Sequence, residues 1–140
     1  MYSRILVGYD GSDGARSALR QAVELAKTVG AQLSSISVEE HLPRYAASVS
    51  EIKGAKEQID AYFRTLTKEA RDYAAMQGVE LDTLVRQGHE VESIVSTARD
   101  GNFDLLVIGY HGQSGILGRM LGSTAQSVVR LAPCSVLLAK

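Results

Sequence analysis

Apolar positions along this chain change period in a regular alternation. Ile5-Leu-Val7 is a short unbroken apolar run, the form of a central strand covered on both faces. Ala15, Ala18, Leu19, Ala22, Val23, Ala26 and Val29 then recur at helical spacing, and Gly30 stands where a C-cap belongs. Leu33 to Val38 reads as a second strand. Ile52, Ala55, Ile59, Phe63, Leu66, Ala70 and Tyr73 trace a second helix, which Gly78 closes. Val79, Leu81, Thr83 and Val85 alternate with Glu80, Asp82 and Leu84, a half-polar strand suited to a sheet edge. Val91, Ile94, Val95 and Ala98 mark a third helix ending at Gly101-Asn102. Leu105-Leu-Val-Ile108 is a buried strand, Ala125, Val128, Val129 and Ala132 a fourth helix, and Ser135 to Ala139 a last strand.

Five strands alternating with four helices predict an α/β fold with a mainly parallel sheet. Right-handed crossovers place helices on both of its faces. Residues 1–140 read as one domain, since no second domain, internal repeat or low-complexity tract interrupts the rhythm. The connection from about Glu39 to Glu51 is long and holds His41, Pro43, Arg44 and Tyr45. It fits a ligand cover and a plain surface loop equally well. The apolar last strand invites pairing at a sheet edge, and a twofold dimer contact there is one way to meet it.

Composition narrows the classes. With 140 residues, 45% of them hydrophobic, the chain can bury one core, and disorder is not expected. A formal net charge of −1 with mixed signs argues against a nucleic-acid partner held by bulk positive charge. No apolar run approaches the roughly 18 residues of a membrane span. The start, Met-Tyr-Ser-Arg-Ile-Leu-Val-Gly, lacks a signal-peptide layout. Cys134 is the one cysteine, which excludes an internal disulfide and a Cys-rich metal site. A cytoplasmic location is the simplest expectation.

The chemistry gathers at one strand-to-helix junction. Gly109-Tyr-His-Gly112 follows the buried strand, and nine residues later Gly122-Ser123-Thr124 opens the fourth helix. Glycines let backbone approach an anion, and free N–H groups at a helix start point at it. Glycines also serve ordinary turns, and Ser123 is an ordinary N-cap type. The loop closes with no Gly-Lys-Ser/Thr and lacks Gly-x-Gly-x-x-Gly, so it points to phosphate without naming a nucleotide. At the other end of the chain, Val7-Gly-Tyr-Asp10-Gly-Ser12 turns the first strand into the first helix. Asp10 then stands at the carboxyl end of a central strand, where open α/β sheets bind ligands. Its carboxylate suits a ribose hydroxyl or a phosphate-bound metal; the plainer alternative is that Asp10 or Ser12 caps the helix.

The chain resembles the universal stress protein family, in its nucleotide-binding form, over essentially its whole length. The most specific element is Gly-x2-Gly-x9-Gly-Ser, met by Gly109, Gly112, Gly122 and Ser123. The resemblance implies a Rossmann-like sheet of five parallel strands in the order 3-2-1-4-5, and homodimers joined through the last strand. It implies ATP binding, with Mg²⁺ or Mn²⁺ held through the phosphates. By position, Asp10 approaches the ribose or metal end and Val38 meets the adenine, mainly through backbone. Gly109, Gly112, Gly122, Ser123 and Thr124 surround the ribose and phosphates, with Gly8 and Tyr9 close by. Ser135 departs from the proline that many relatives place after the cysteine, which bears on the dimer contact and not on the site.

Other residues have plainer readings. His111 suits a hydrogen bond donated to a phosphate, or phosphotransfer, but a solvated loop histidine is the favoured reading. Arg119 suits phosphate or open surface equally. His41 and His89 show no metal-ligand spacing with each other or with Cys134, and Cys134 reads as a buried small hydrophobe. Tyr62, Phe63 and Tyr73 read as core or helix-face residues. The leading function is an adenine-nucleotide module whose occupancy is passed to a dimer interface or partner. A stress-adaptation role comes from the resemblance alone. The rivals are a slow ATPase or autophosphorylating protein, and a dimeric adaptor with an idle nucleotide site. Phosphoryl transfer needs positioned cations and an oriented nucleophile. The loop has no lysine, so no catalytic residue is assigned.

Overall fold

The computed structural model describes residues 1–40, 48–111 and 121–140. Its elements run β1 Arg4–Gly8, α1 Asp13–Val29, β2 Gln32–Glu39, α2 Val49–Met76, β3 Leu81–Gln87, α3 Glu90–Asp100, β4 Leu105–Gly109, α4 Ser123–Leu131 and β5 Ser135–Ala139. The strands form one five-stranded sheet in the order β3-β2-β1-β4-β5, and every pairing is parallel. The half-polar strand lies at one edge as its alternation predicts, and the apolar last strand at the other.

Alternation along β1 divides the core between two faces. Ile5 and Val7 join α1, Leu66, Ala70 and Ala74 on one side. Leu6 joins Ile36, Leu106, Ile108, α3 and α4 on the other. Helix α1 buries the predicted face except at its last turn: Ala15, Ala18, Leu19, Ala22, Val23 and Ala26 pack inward, whereas Val29 is exposed. It begins at Ser12, whose side chain accepts from Ala15 N–H, and ends at Gly30 in the left-handed conformation (φ 73°).

Helix α2 departs from its predicted burial. The spacing of Ile52, Ala55 and Ile59 does produce a helix, opened by a Ser48–Glu51 capping box. Only Leu66, Thr67, Ala70 and Ala74 are buried, however, while Ile52 and Tyr62 are exposed. Phe63 and Tyr73 pack against the core from its margin. The cause is length. Twenty-eight helical residues span about 42 Å, whereas the eight residues of β2 reach about 26 Å. The first half of α2 therefore extends past the sheet.

Among the described residues, no helix is long and apolar enough to cross a membrane. His41, Pro43, Arg44 and Tyr45 of the long connection lie outside the described residues, as do Gly112 and Arg119.

Candidate functional site

Because β1 sits between β2 and β4, strand order reverses there, and a crevice opens beyond the strand ends. The β1–α1 turn forms one wall. Tyr9 N–H donates to Ile36 carbonyl at 2.9 Å, and Ser37 hydroxyl donates to Tyr9 carbonyl at 2.6 Å, so the turn is fixed to β2. The Asp10 carboxylate accepts from the Ser12 N–H at 3.0 Å and from the Ser12 hydroxyl, which itself caps α1. Both plain alternatives are thus partly realised: Ser12 is the cap, and Asp10 orients it.

The opposite wall comes from β4 and α4. Tyr110 N–H donates to Ala139 carbonyl at 2.7 Å, and Gly122 N–H donates to Tyr110 carbonyl at 3.0 Å. This second bond ties the start of α4 to the end of β4. Gly122, not Ser123, occupies the N-cap position, and among the described residues no side chain caps the helix. Among the described residues, the first-turn N–H groups of α4 thus lack the partner a capping hydroxyl would supply. That is the local condition for receiving an anion.

Gly109 and Gly14 let the two walls approach. A Cβ on Gly109 would stand 2.7 Å from the Gly14 carbonyl carbon, and one on Gly14 would run into the His111 carbonyl oxygen. The first turn of α1 therefore rests directly on backbone at the end of β4.

Between the walls lies a cavity of about 270 Å³, near the lower end of small-molecule sites, roughly 300–1,000 Å³. Asp10, Val38, Gly109, Gly122, Ser123 and Thr124 all line it, together with Gly8 and Tyr9. Every sequence-predicted site residue that is described is brought to this one place. Its inner part is apolar, with Ile36, Ile94, Ile108 and Ala125. His111 departs from the solvated reading. Its Nδ1 is buried with no hydrogen-bond partner among the described residues, and its ring lies edge-on to Tyr110, 4.8 Å between centroids.

Sequence reasoning missed Glu90. This first residue of α3 lines the cavity, and its carboxylate accepts from the Thr124 hydroxyl at 3.5 Å. Burial pushes its pKa up, and the nearby Asp10 and Glu40 carboxylates push it further; Thr124 and His89 oppose them. Among the described residues, no three His, Cys, Asp or Glu gather as a metal site.

Compared with known proteins, residues 1–140 match the family model described as the universal stress protein family. The chain belongs to the universal stress protein family. It is 33% identical over 148 residues to the universal stress protein YxiE of Bacillus subtilis, covering 100% of both chains. It also resembles a universal stress protein solved in complex with cAMP, at 30% identity and a TM-score of 0.71, covering 99% and 97% of the two chains. A universal stress protein of Archaeoglobus fulgidus solved with dAMP gives 25% identity and a TM-score of 0.66, covering 99% and 98%. Among these universal stress proteins, then, are two whose ligands are adenine nucleotides.

Proposed function

We propose that residues 1–140 act as one nucleotide-binding unit, holding an adenine nucleotide in the crevice between the β1–α1 turn and the start of α4. The observation that carries this reading is the cavity itself. It combines an apolar interior and a close glycine backbone with a helix start and a buried imidazole nitrogen that have no side-chain partner among the described residues. The interior suits a flat base, with Val38 at the end of β2 beside it. Asp10 suits ribose hydroxyls, and Gly109, Gly112, Gly122, Ser123 and Thr124 suit the phosphates. The cAMP and dAMP complexes of relatives support the adenine class. ATP is the physiological ligand in this reading, with Mg²⁺ or Mn²⁺ carried on its phosphates.

Occupancy regulates rather than consumes. A ligand that binds one state better shifts the population towards it. The response is passed to a homodimer joined through the free edge of β5 or to a protein partner in stress adaptation within the cytoplasm. Calorimetric titration of nucleotide-stripped protein with ATP and Mg²⁺, alongside Gly122→Val, tests the reading. Gly122 is buried in the cavity wall, so a branched side chain there takes ligand space. Saturable binding by the wild type that is lost in a folded variant supports the site. A folded wild type that binds no adenine nucleotide overturns it and favours a dimeric adaptor.

A further inference from the structure

We propose that Glu69, which does not itself line the cavity, is a positioning residue of the nucleotide site, holding the β1–α1 turn against α2 so that the turn stands ready for ligand. The proposal rests on the nucleotide reading above. Helix α2 contributes none of the described residues that line the cavity, yet it restrains the turn that does. One carboxylate oxygen gathers three bonds. Glu69 Oε1 accepts from the Tyr9 hydroxyl at 2.9 Å, from Arg16 Nε at 3.2 Å and from Arg16 Nη2 at 3.1 Å. The turn, α1 and α2 thereby meet at a single atom.

Tyr9 passes this restraint to the site. Its backbone is tied to β2 through Ile36 and Ser37, and its side chain is buried in the core face shared by α1 and α2. The residue thus reaches from the strand ends to α2, and Gly8 and Asp10 on either side of it line the cavity. A second contact acts on the same turn. Leu66 stands three residues before Glu69, on the same face of α2. Its Cδ1 would lie 2.9 Å from a Cβ built on Gly11, whose φ of 79° is a conformation glycine adopts freely. Leu66 therefore limits how far the turn can approach α2, and Glu69 limits how far it can withdraw.

A purely structural role makes a different prediction. A buried hydroxyl needs a partner, and if Glu69 meets only that need, its loss lowers stability and leaves the affinity of the folded chain unchanged. A loosened turn instead lowers the fraction of molecules competent to bind, and apparent Kd rises in inverse proportion; a turn in place about one fifth of the time gives about fivefold. The test is calorimetric titration of the nucleotide-stripped full chain with ATP and Mg²⁺, well below each protein's unfolding temperature. Wild type is compared with Glu69→Ala, Glu69→Gln, Tyr9→Phe and Asp104→Asn. Glutamine keeps an acceptor for the Tyr9 hydroxyl. Asp104 is the stability control, since it accepts three bonds from Ser3 and Arg4 at the amino end of β1, opposite the site. Kd should rise about fivefold in Glu69→Ala and in Tyr9→Phe, and no further in the double variant, because each removes the same bond. Glu69→Gln and Asp104→Asn should stay within about twofold of wild type. Amide exchange of the ligand-free chain reads the turn itself: Tyr9 and Ser12 should exchange about fivefold faster, relative to Leu6, in Glu69→Ala and not in Asp104→Asn. A wild-type Kd in Glu69→Ala, unchanged exchange at Tyr9, or a glutamine variant as weak as the alanine one overturns the role of Glu69 alone. A wild type that binds no adenine nucleotide overturns the nucleotide reading and this role with it.

Discussion

Replacing Gly109 by alanine is the sharpest test of how the two walls of the crevice meet. The new Cβ would lie 2.7 Å from the Gly14 carbonyl carbon, 2.8 Å from its oxygen and 3.0 Å from its Cα, against 3.4–4 Å for ordinary contact. All three atoms are backbone, so no side-chain rotation relieves the overlap. Either α1 withdraws from β4 or the end of β4 bends, and α1 carries much of one core face. Overpacking of this kind costs about 1–3 kcal/mol, with backbone neighbours placing it near the upper value. A chain of this length loses roughly 3 °C in Tm per kcal/mol, so the fall should be about 6–9 °C. Gly54 supplies the opposite case. It lies inside α2 with nothing within 4 Å of a built Cβ, so alanine there should gain about 0.5–1 kcal/mol and raise Tm by about 2 °C. Thermal and urea unfolding followed by circular dichroism would measure both. A Gly109→Ala protein melting with the wild type, or shifting in the same direction as Gly54→Ala, would refute the close approach.

Three further outcomes follow from other contacts. Tyr9→Phe removes a buried hydroxyl that donates to Glu69 at 2.9 Å, and urea titration should show a loss of about 1–2 kcal/mol. Burial foremost, then Glu69, pushes the Tyr9 phenol up to about 12 from 10.0. The folded chain therefore keeps a proton that the unfolded chain releases, and stability should fall as pH rises from 10 through 12, less steeply in Tyr9→Phe. Asp104 accepts from Ser3 N–H, Ser3 hydroxyl and Arg4 N–H, and the Ser3 backbone bond leads in drawing its pKa below the usual 3.8. Its contribution should be present above that value and disappear as pH falls through the lower folded-state value, a limb absent from unfolding profiles of Asp104→Asn. If β5 pairs with a second copy, sedimentation should report twice the 15.1 kDa chain mass; a monomer at all concentrations contradicts the homodimer.

The fold was legible because each element states its own period and the crossover rule does the rest. Ile5-Leu-Val7 and Leu105–Ile108 lack polar positions because helices cover both faces, and they occupy the two central places beside the strand reversal. Strand β3 alternates because it is an edge. What pattern could not give was where the sheet stops. Ile52, Ala55 and Ile59 obey helical spacing as faithfully as Leu66 and Ala70 do, and only the short reach of β2 decides that the first group stays outside the core. Periodicity fixes which face of a helix is apolar, whereas burial also depends on whether a partner extends beneath it.

The site divides along the same line. Asp10, Val38 and the glycines announce themselves because each sits at the end of a strand or the start of a helix, where local sequence already restricts what the backbone can do. Glu90 gives no such signal. An acid in the first turn of a helix is what the dipole favours everywhere, and nothing near residue 90 says that it faces Thr124, thirty-four positions away. The two meet because strand order 3-2-1-4-5 places α3 and α4 on one face of the sheet. Once that order is predicted, the first turn of α3 can be expected beside the first turn of α4. A charged residue there then faces the cavity whatever its local reason for being acidic. The residues that line this cavity are accordingly to be sought where helices of the same face begin, beyond the glycine motif that marks it.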